Sequence, residues 1–114
     1  MMMGISTHIL DTALGRPASA VPVTLSRLKN DTWSLINEAA TDVDGRCKQL
    51  LPPTQTLQAA TYRIRFETAT YFERNRVQGL YPYIEIIFTV SDEKQHYHIP
   101  LLLTANGYTT YRGS

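Results

Sequence analysis

The sequence predicts an all-β fold, an antiparallel sandwich of two sheets, on three observations. Apolar and polar residues alternate with period two in several short segments, the pattern of strands that bury one face. Turn-forming residues punctuate those segments at short intervals. No strand–helix–strand rhythm is present, so a parallel sheet is not expected.

From the N-terminus, Ile5 to Leu10 is a short β-branched segment closed by Gly15-Arg16-Pro17. Val21, Val23 and Leu25 alternate with Pro22, Thr24 and Ser26. After a turn at Asn30-Asp31, Trp33, Leu35 and Asn37 continue the alternation. Asp42-Val43-Asp44-Gly45-Arg46 reads as a tight turn in which Gly45 is free to take positive φ, and Pro52-Pro53 interrupts the segment after it. Tyr62, Ile64 and Phe66 alternate with Arg63, Arg65 and Glu67, which reads as a half-buried strand with a solvated outer face. Thr68 to Arg76 loses the alternation, and Tyr71 and Phe72 allow a short helix there. Tyr83 to Val90 and Gln95 to Leu103 are two further strands around a turn at Ser91-Asp92-Glu93-Lys94, and Gly107 to Arg112 is the last. Pro100 inside a strand pattern argues for an edge or a bulge. Tyr97 and Leu101-Leu102-Leu103 suggest a strand buried on both sides, as at a subunit interface.

The 114 residues suit one domain, residues 1–114, able to bury a core without staples. Hydrophobic residues make up 43% and charged residues 18%, the balance of a globular chain. A net charge of +1 with no Lys/Arg cluster gives no grip on nucleic acid. The single cysteine, Cys47, excludes an internal disulfide framework and a cysteine-based zinc site, and it fits a reducing compartment. The start shows no signal-peptide pattern, and no apolar run is long enough to span a bilayer.

Chemistry-bearing residues are few. The three histidines are His8, His96 and His98. His96 and His98 lie two apart and share one face of a regular strand. That spacing leaves three readings open: polar residues on a half-wet strand, a general base titrating near neutral pH, or ligands of a catalytic zinc. Arg46, after the glycine turn, is either a solvated surface charge or a planar fork for a carboxylate or urea-type carbonyl. Tyr111 is either a sheet aromatic or a ring beside a ligand. Cys47 reads as a small buried residue. The sequence closes on Tyr111-Arg112-Gly113-Ser114 directly after a strand-like run. An ordered α-carboxylate on Ser114 would put a fixed negative charge beside a ring and a guanidinium, as one wall of a site.

Four stretches together go further. Ser6-Thr7-His8-Ile9-Leu10-Asp11-Thr12, with Gly15, Pro17 and Ala18, resembles the opening of transthyretin-related proteins. Asp44-Gly45-Arg46 resembles their central turn, and His96 to Leu103 their penultimate strand. Tyr108 to Ser114 is similar to the ending that marks the enzymatic branch, the 5-hydroxyisourate hydrolases. The resemblance implies a transthyretin-like sandwich of two four-stranded sheets with one short helix. It implies a homotetramer, a dimer of dimers, with sites at the dimer–dimer interface. The implied reaction is hydrolysis of 5-hydroxyisourate to 2-oxo-4-hydroxy-4-carboxy-5-ureidoimidazoline in urate degradation, with no metal or organic cofactor. It carries catalytic roles onto His8, His98, Arg46 and Ser114, and substrate binding onto His8, Arg46, Tyr111 and Arg112, with His96 outside the core site. The implied compartment is the cytoplasm or the peroxisome. The hormone-binding branch, transthyretin itself, is the alternative: a small-ligand binding protein of the same fold that lacks these histidines and continues past the corresponding ending.

Overall fold

The computed structural model describes residues 4–113. Met1 to Met3 and Ser114 fall outside that range, so the expectation for the Ser114 carboxylate lies outside the described residues. Among those described, nine strands and one helix form two packed sheets. The first sheet contains β1 (Ile5–Asp11), β8 (Tyr97–Thr104) and β9 (Gly107–Thr110). The two-residue strands β2 (Arg16–Pro17) and β5 (Arg46–Cys47) both pair with β1 along its other edge. The second sheet runs β4 (Thr32–Ala40), β3 (Pro22–Lys29), β6 (Ala60–Phe66), β7 (Ile84–Val90). The sandwich and the four-stranded second sheet are as expected, whereas the first sheet has five strands because of the short flanking pieces.

Three local expectations change. First, β1 and β8 are parallel, with Ser6 opposite His98 and His8 opposite Pro100. The whole second sheet serves as the crossover between them, so no helical rhythm announces the pair. Second, the turn at Ser91–Lys94 does not close a hairpin: β7 lies in one sheet and β8 in the other. Third, Pro100 sits in a central strand and not at an edge. The cost appears in the ladder to β9, which ends at Leu101–Thr110 and resumes only as a bridge between His98 and Gly113. Proline has no N–H to give at that rung, so Tyr111 and Arg112 leave the ladder, and the Thr110 hydroxyl donates to the Pro100 carbonyl instead, at 2.7 Å. The last strand is accordingly shorter than the expected Gly107 to Arg112.

The inner faces build the core. Ile5 and Ile9 from β1, and Tyr97, Ile99, Leu101 and Leu103 from β8, meet Val23, Leu25, Tyr62, Ile64 and Phe66 of the other sheet. Leu102 points the other way and is only half-buried, so β8 is fully covered on one face alone. The helix α1 (Thr68–Arg74) presents Thr68, Tyr71 and Phe72 inward, the i, i+3, i+4 stripe of an amphipathic helix. It is tied to the end of β1 by the Tyr71 hydroxyl, which donates to the buried Asp11 carboxylate at 2.7 Å. Burial, and then that carboxylate, push the Tyr71 hydroxyl up to about 12.

Candidate active site

The outer face of the first sheet collects the polar residues. On β1, Ser6 and His8 alternate with the inward Ile5, Thr7 and Ile9. Parallel register sets His98 beside Ser6. Antiparallel register sets Arg46 beside His8, and Cys47, inward and buried, beside Thr7. Gly45 makes this placement possible. Its φ is +75°, and a Cβ there would lie 2.5 Å from the Ile9 carbonyl oxygen, so only glycine lets this turn close on β1. The Asp42 carboxylate accepts the N–H of Arg46 and of Asp44, each at 2.9 Å. The bond from Arg46 is the main cause that lowers the Asp42 pKa.

Ser6, Thr7, Arg46, Lys48, His96 and His98 line an open cleft of about 270 Å³. Its charged lining residues are cationic or titratable to cations, and no ion pair among the described residues involves Arg46 or Lys48. The Ser6 hydroxyl, 7% exposed, lies 2.8 Å from His96 Nε2 and 2.7 Å from His98 Nδ1. Burial, followed by the nearby charges of Arg46, His8 and His96, lowers the His98 pKa below 6.5. The shift favours the neutral imidazole. The Cys47 thiol is pushed up to about 11 by burial and stays protonated, an inert core group.

The closing segment folds over the same face. The Gly113 N–H donates to the His98 carbonyl at 2.8 Å. A Cβ on Gly113 would stand 2.6 Å from His98 Cδ2, so the backbone lies directly against the imidazole. Carrying the β8–β9 register back past Pro100 sets Tyr111 opposite Pro100, and the residue is 54% exposed. Arg112 turns elsewhere: its guanidinium stacks 4.2 Å over the Tyr97 ring and donates to Gln95 Oε1 at 2.7 Å. Thus His8, Arg46, His98 and Tyr111 share one face, while Arg112 grips the end of β8. Ser6 and Lys48 join the site although no motif above singles them out, and His96, expected outside the core, lines the cleft. Among the described residues, no three His, Cys, Asp or Glu side chains converge as a metal site.

A family model described as the HIUase/Transthyretin family matches residues 5–113. The chain belongs to this family. Among HIUase/Transthyretin relatives, the chain is 43% identical over 112 residues to the 5-hydroxyisourate hydrolase of Mus musculus, covering 96% of this chain and 94% of the mouse protein. The solved 5-hydroxyisourate hydrolase of Klebsiella pneumoniae is 33% identical, with a TM-score of 0.86, and spans 99% of this chain and all of its own. Transthyretin of Sparus aurata is 29% identical, with a TM-score of 0.90, over 98% of this chain and 97% of its own. Both branches of the HIUase/Transthyretin family share the fold, so the difference between them must lie in the site.

Proposed function

We propose that this protein is an enzyme that hydrolyses 5-hydroxyisourate, opening its lactam ring to 2-oxo-4-hydroxy-4-carboxy-5-ureidoimidazoline in urate degradation. The observation that carries the reading is a cleft lined by Arg46 and His98, with His8 opposite Arg46 on the neighbouring strand and no ion pair to Arg46 among the described residues. The close likeness to full-length hydrolases of that name supports it.

Lactam hydrolysis needs an activated water, a stabilised oxyanion and a proton for the leaving nitrogen. A neutral imidazole within reach of water supplies the first and returns the proton. His8 and the neutral His98 are the two imidazoles for these tasks. Arg46 brings a guanidinium fork that stabilises the oxygen on which charge develops. Tyr111 packs its ring against the flat substrate. Arg112 acts by holding the closing segment, and Gly113 brings that segment to His98. Ser114, the next residue, is kept as an orienting group of the site. The chemistry needs no metal or organic cofactor. The assembly we propose is a homotetramer, a dimer of dimers, in which the exposed cleft face of one subunit is completed by another. Cytoplasm or peroxisome is the proposed compartment. Among the described residues, no helix is long and apolar enough to cross a membrane.

The alternative reading is a small-ligand binding protein of the thyroid-hormone type, favoured by the close overlay on transthyretin. The test is the ultraviolet absorbance of freshly generated 5-hydroxyisourate. Decay that accelerates in proportion to protein supports hydrolysis. Decay at the protein-free rate, together with saturable thyroid-hormone binding, supports the alternative.

A further inference from the structure

We propose that Ser6 and His96 hold His98 in the Nε2–H tautomer, making His98 a neutral hydrogen-bond donor and leaving His8 as the general base. The assignment of steps rests on the hydrolase reading above; the hydrogen-bond chain itself does not.

The Ser6 hydroxyl has one proton and two imidazole nitrogens within 2.8 Å. It donates to one ring and must accept an N–H from the other. Two arrangements of neutral rings satisfy this. In the first, His96 Nε2–H donates to Ser6, and Ser6 donates to His98 Nδ1. His98 then carries its proton on Nε2. In the second, His98 Nδ1–H donates to Ser6, and Ser6 donates to His96 Nε2. His96 must then carry its proton on Nδ1.

His96 Nδ1 decides between them. It is buried beyond solvent contact and has no hydrogen-bond partner among the described residues. The second arrangement would bury an N–H donor with nothing to accept it. The first leaves only a bare lone pair there. Buried donors without partners are rarer and costlier in proteins than acceptors with a spare lone pair. The first arrangement is therefore the ground state. The lowered His98 pKa agrees, since the ring must remain neutral to accept at Nδ1.

The consequence is a division of labour. With Nδ1 engaged, the nitrogen His98 can offer a ligand is Nε2, and it offers a hydrogen, not a lone pair. A neutral imidazole can stabilise a developing oxyanion in this way without changing its own protonation state. His8, cross-strand from Arg46, takes the proton from water. The water oxygen bonds to the lactam carbonyl carbon as one water proton passes to His8. Arg46 and the His98 Nε2–H stabilise the resulting oxyanion. The carbon–nitrogen bond then breaks, and His8 returns its proton to the leaving nitrogen. Ser6 and His96 are positioning residues, since they act through His98.

The experiment uses full-length protein labelled with ¹⁵N-histidine and free of ligand. Long-range proton–nitrogen correlation spectra at pH 7.5 report which ring nitrogen is protonated, with His8→Gln and His96→Gln variants to assign signals. The expected result is His98 protonated at Nε2 with a bare Nδ1. In Ser6→Ala that preference should be lost, kcat should fall about 10-fold or more while KM changes less, and Ser6→Thr should restore both. A His98 signal protonated at Nδ1, or a Ser6→Ala enzyme with native kcat, overturns the proposal. Wild-type protein with the expected spectrum but no hydrolysis overturns the function and leaves the hydrogen-bond chain standing.

Discussion

The outer faces of the two sheets treat charge in opposite ways. On the four-stranded sheet, Arg65 pairs with Glu67 at 2.7 Å and with Glu85 at 3.4 Å, and Arg63 pairs with Glu85 at 3.7 Å. The same guanidiniums lie over aromatic rings, Arg63 on Trp33 at 4.5 Å and Arg65 on Tyr83 at 3.7 Å. The Glu67 bond and charge raise the Arg65 pKa further. On the other sheet, Arg46, Lys48, His96 and His98 line a cleft with no ion pair among the described residues, and His98 is lowered instead of raised. Compensated charge belongs to a surface whose work is solubility and modest stability. Cationic side chains outside any described ion pair, held by a glycine turn and a strand register, suit an anionic transition state that arrives with the ligand.

The strongest break of this contrast is at the histidines. His8→Gln and His98→Gln should each lower kcat by ~100-fold or more while the protein stays folded, the scale of losing a general base or an oxyanion donor. Circular dichroism beside steady-state rates checks it, and near-native rates in both variants would remove imidazole from the chemistry. Gly113→Ala comes next. The added methyl must push the His98 ring from its place, and displacement of about 1 Å can cost up to ~100-fold. We expect at least a 10-fold loss with the thermal midpoint little changed, and native turnover would mean that the ring position is not critical.

A smaller effect is expected in stability against pH. The native His98 pKa lies below the unfolded value of 6.5. Between the two, the unfolded chain binds a proton that the native protein refuses, so stability rises with pH in that window. The melting temperature should fall as pH drops from 7 through 6.5 and below, and His98→Gln should flatten that slope. An unchanged slope would show that His98 titrates normally. The smallest effect is on the compensated face. Arg65→Ala should reduce stability by only about 1 kcal/mol, because exposed pairs are weakly coupled, and turnover should not move.

Local chemistry in the sequence reaches most of the fold. The Asn30-Asp31 turn has both residues at positive φ, 52° and 63°, as a two-residue hairpin requires. Gly45 adopts the positive φ expected of it, and the helix begins at Thr68 as the lost alternation implies. Pairing between distant strands is out of reach. Nothing near His98 in sequence says that Ser6 lies beside it, because their contact depends on a parallel register across a separation of 92 residues. Ser6 is therefore silent as a partner of His98, although period two already puts it on the face of His8. Lys48 shares the face of Arg46 by the same alternation, but that strand is two residues long, too short for a pattern to show. The resemblance places Arg112 against the substrate, whereas in the structure the ladder broken at Pro100 releases it toward Tyr97.

The most direct test of the account sets Arg46→Ala beside Arg65→Ala in the 5-hydroxyisourate decay assay. Both substitutions remove one guanidinium from an outer sheet face. The account predicts that Arg46→Ala loses about 100-fold or more in kcat/KM, as for removal of a group that stabilises an oxyanion, with an unchanged melting temperature. Arg65→Ala should keep native kcat/KM. Equal activity in the two variants would contradict the assignment of catalysis to the face that carries Arg46.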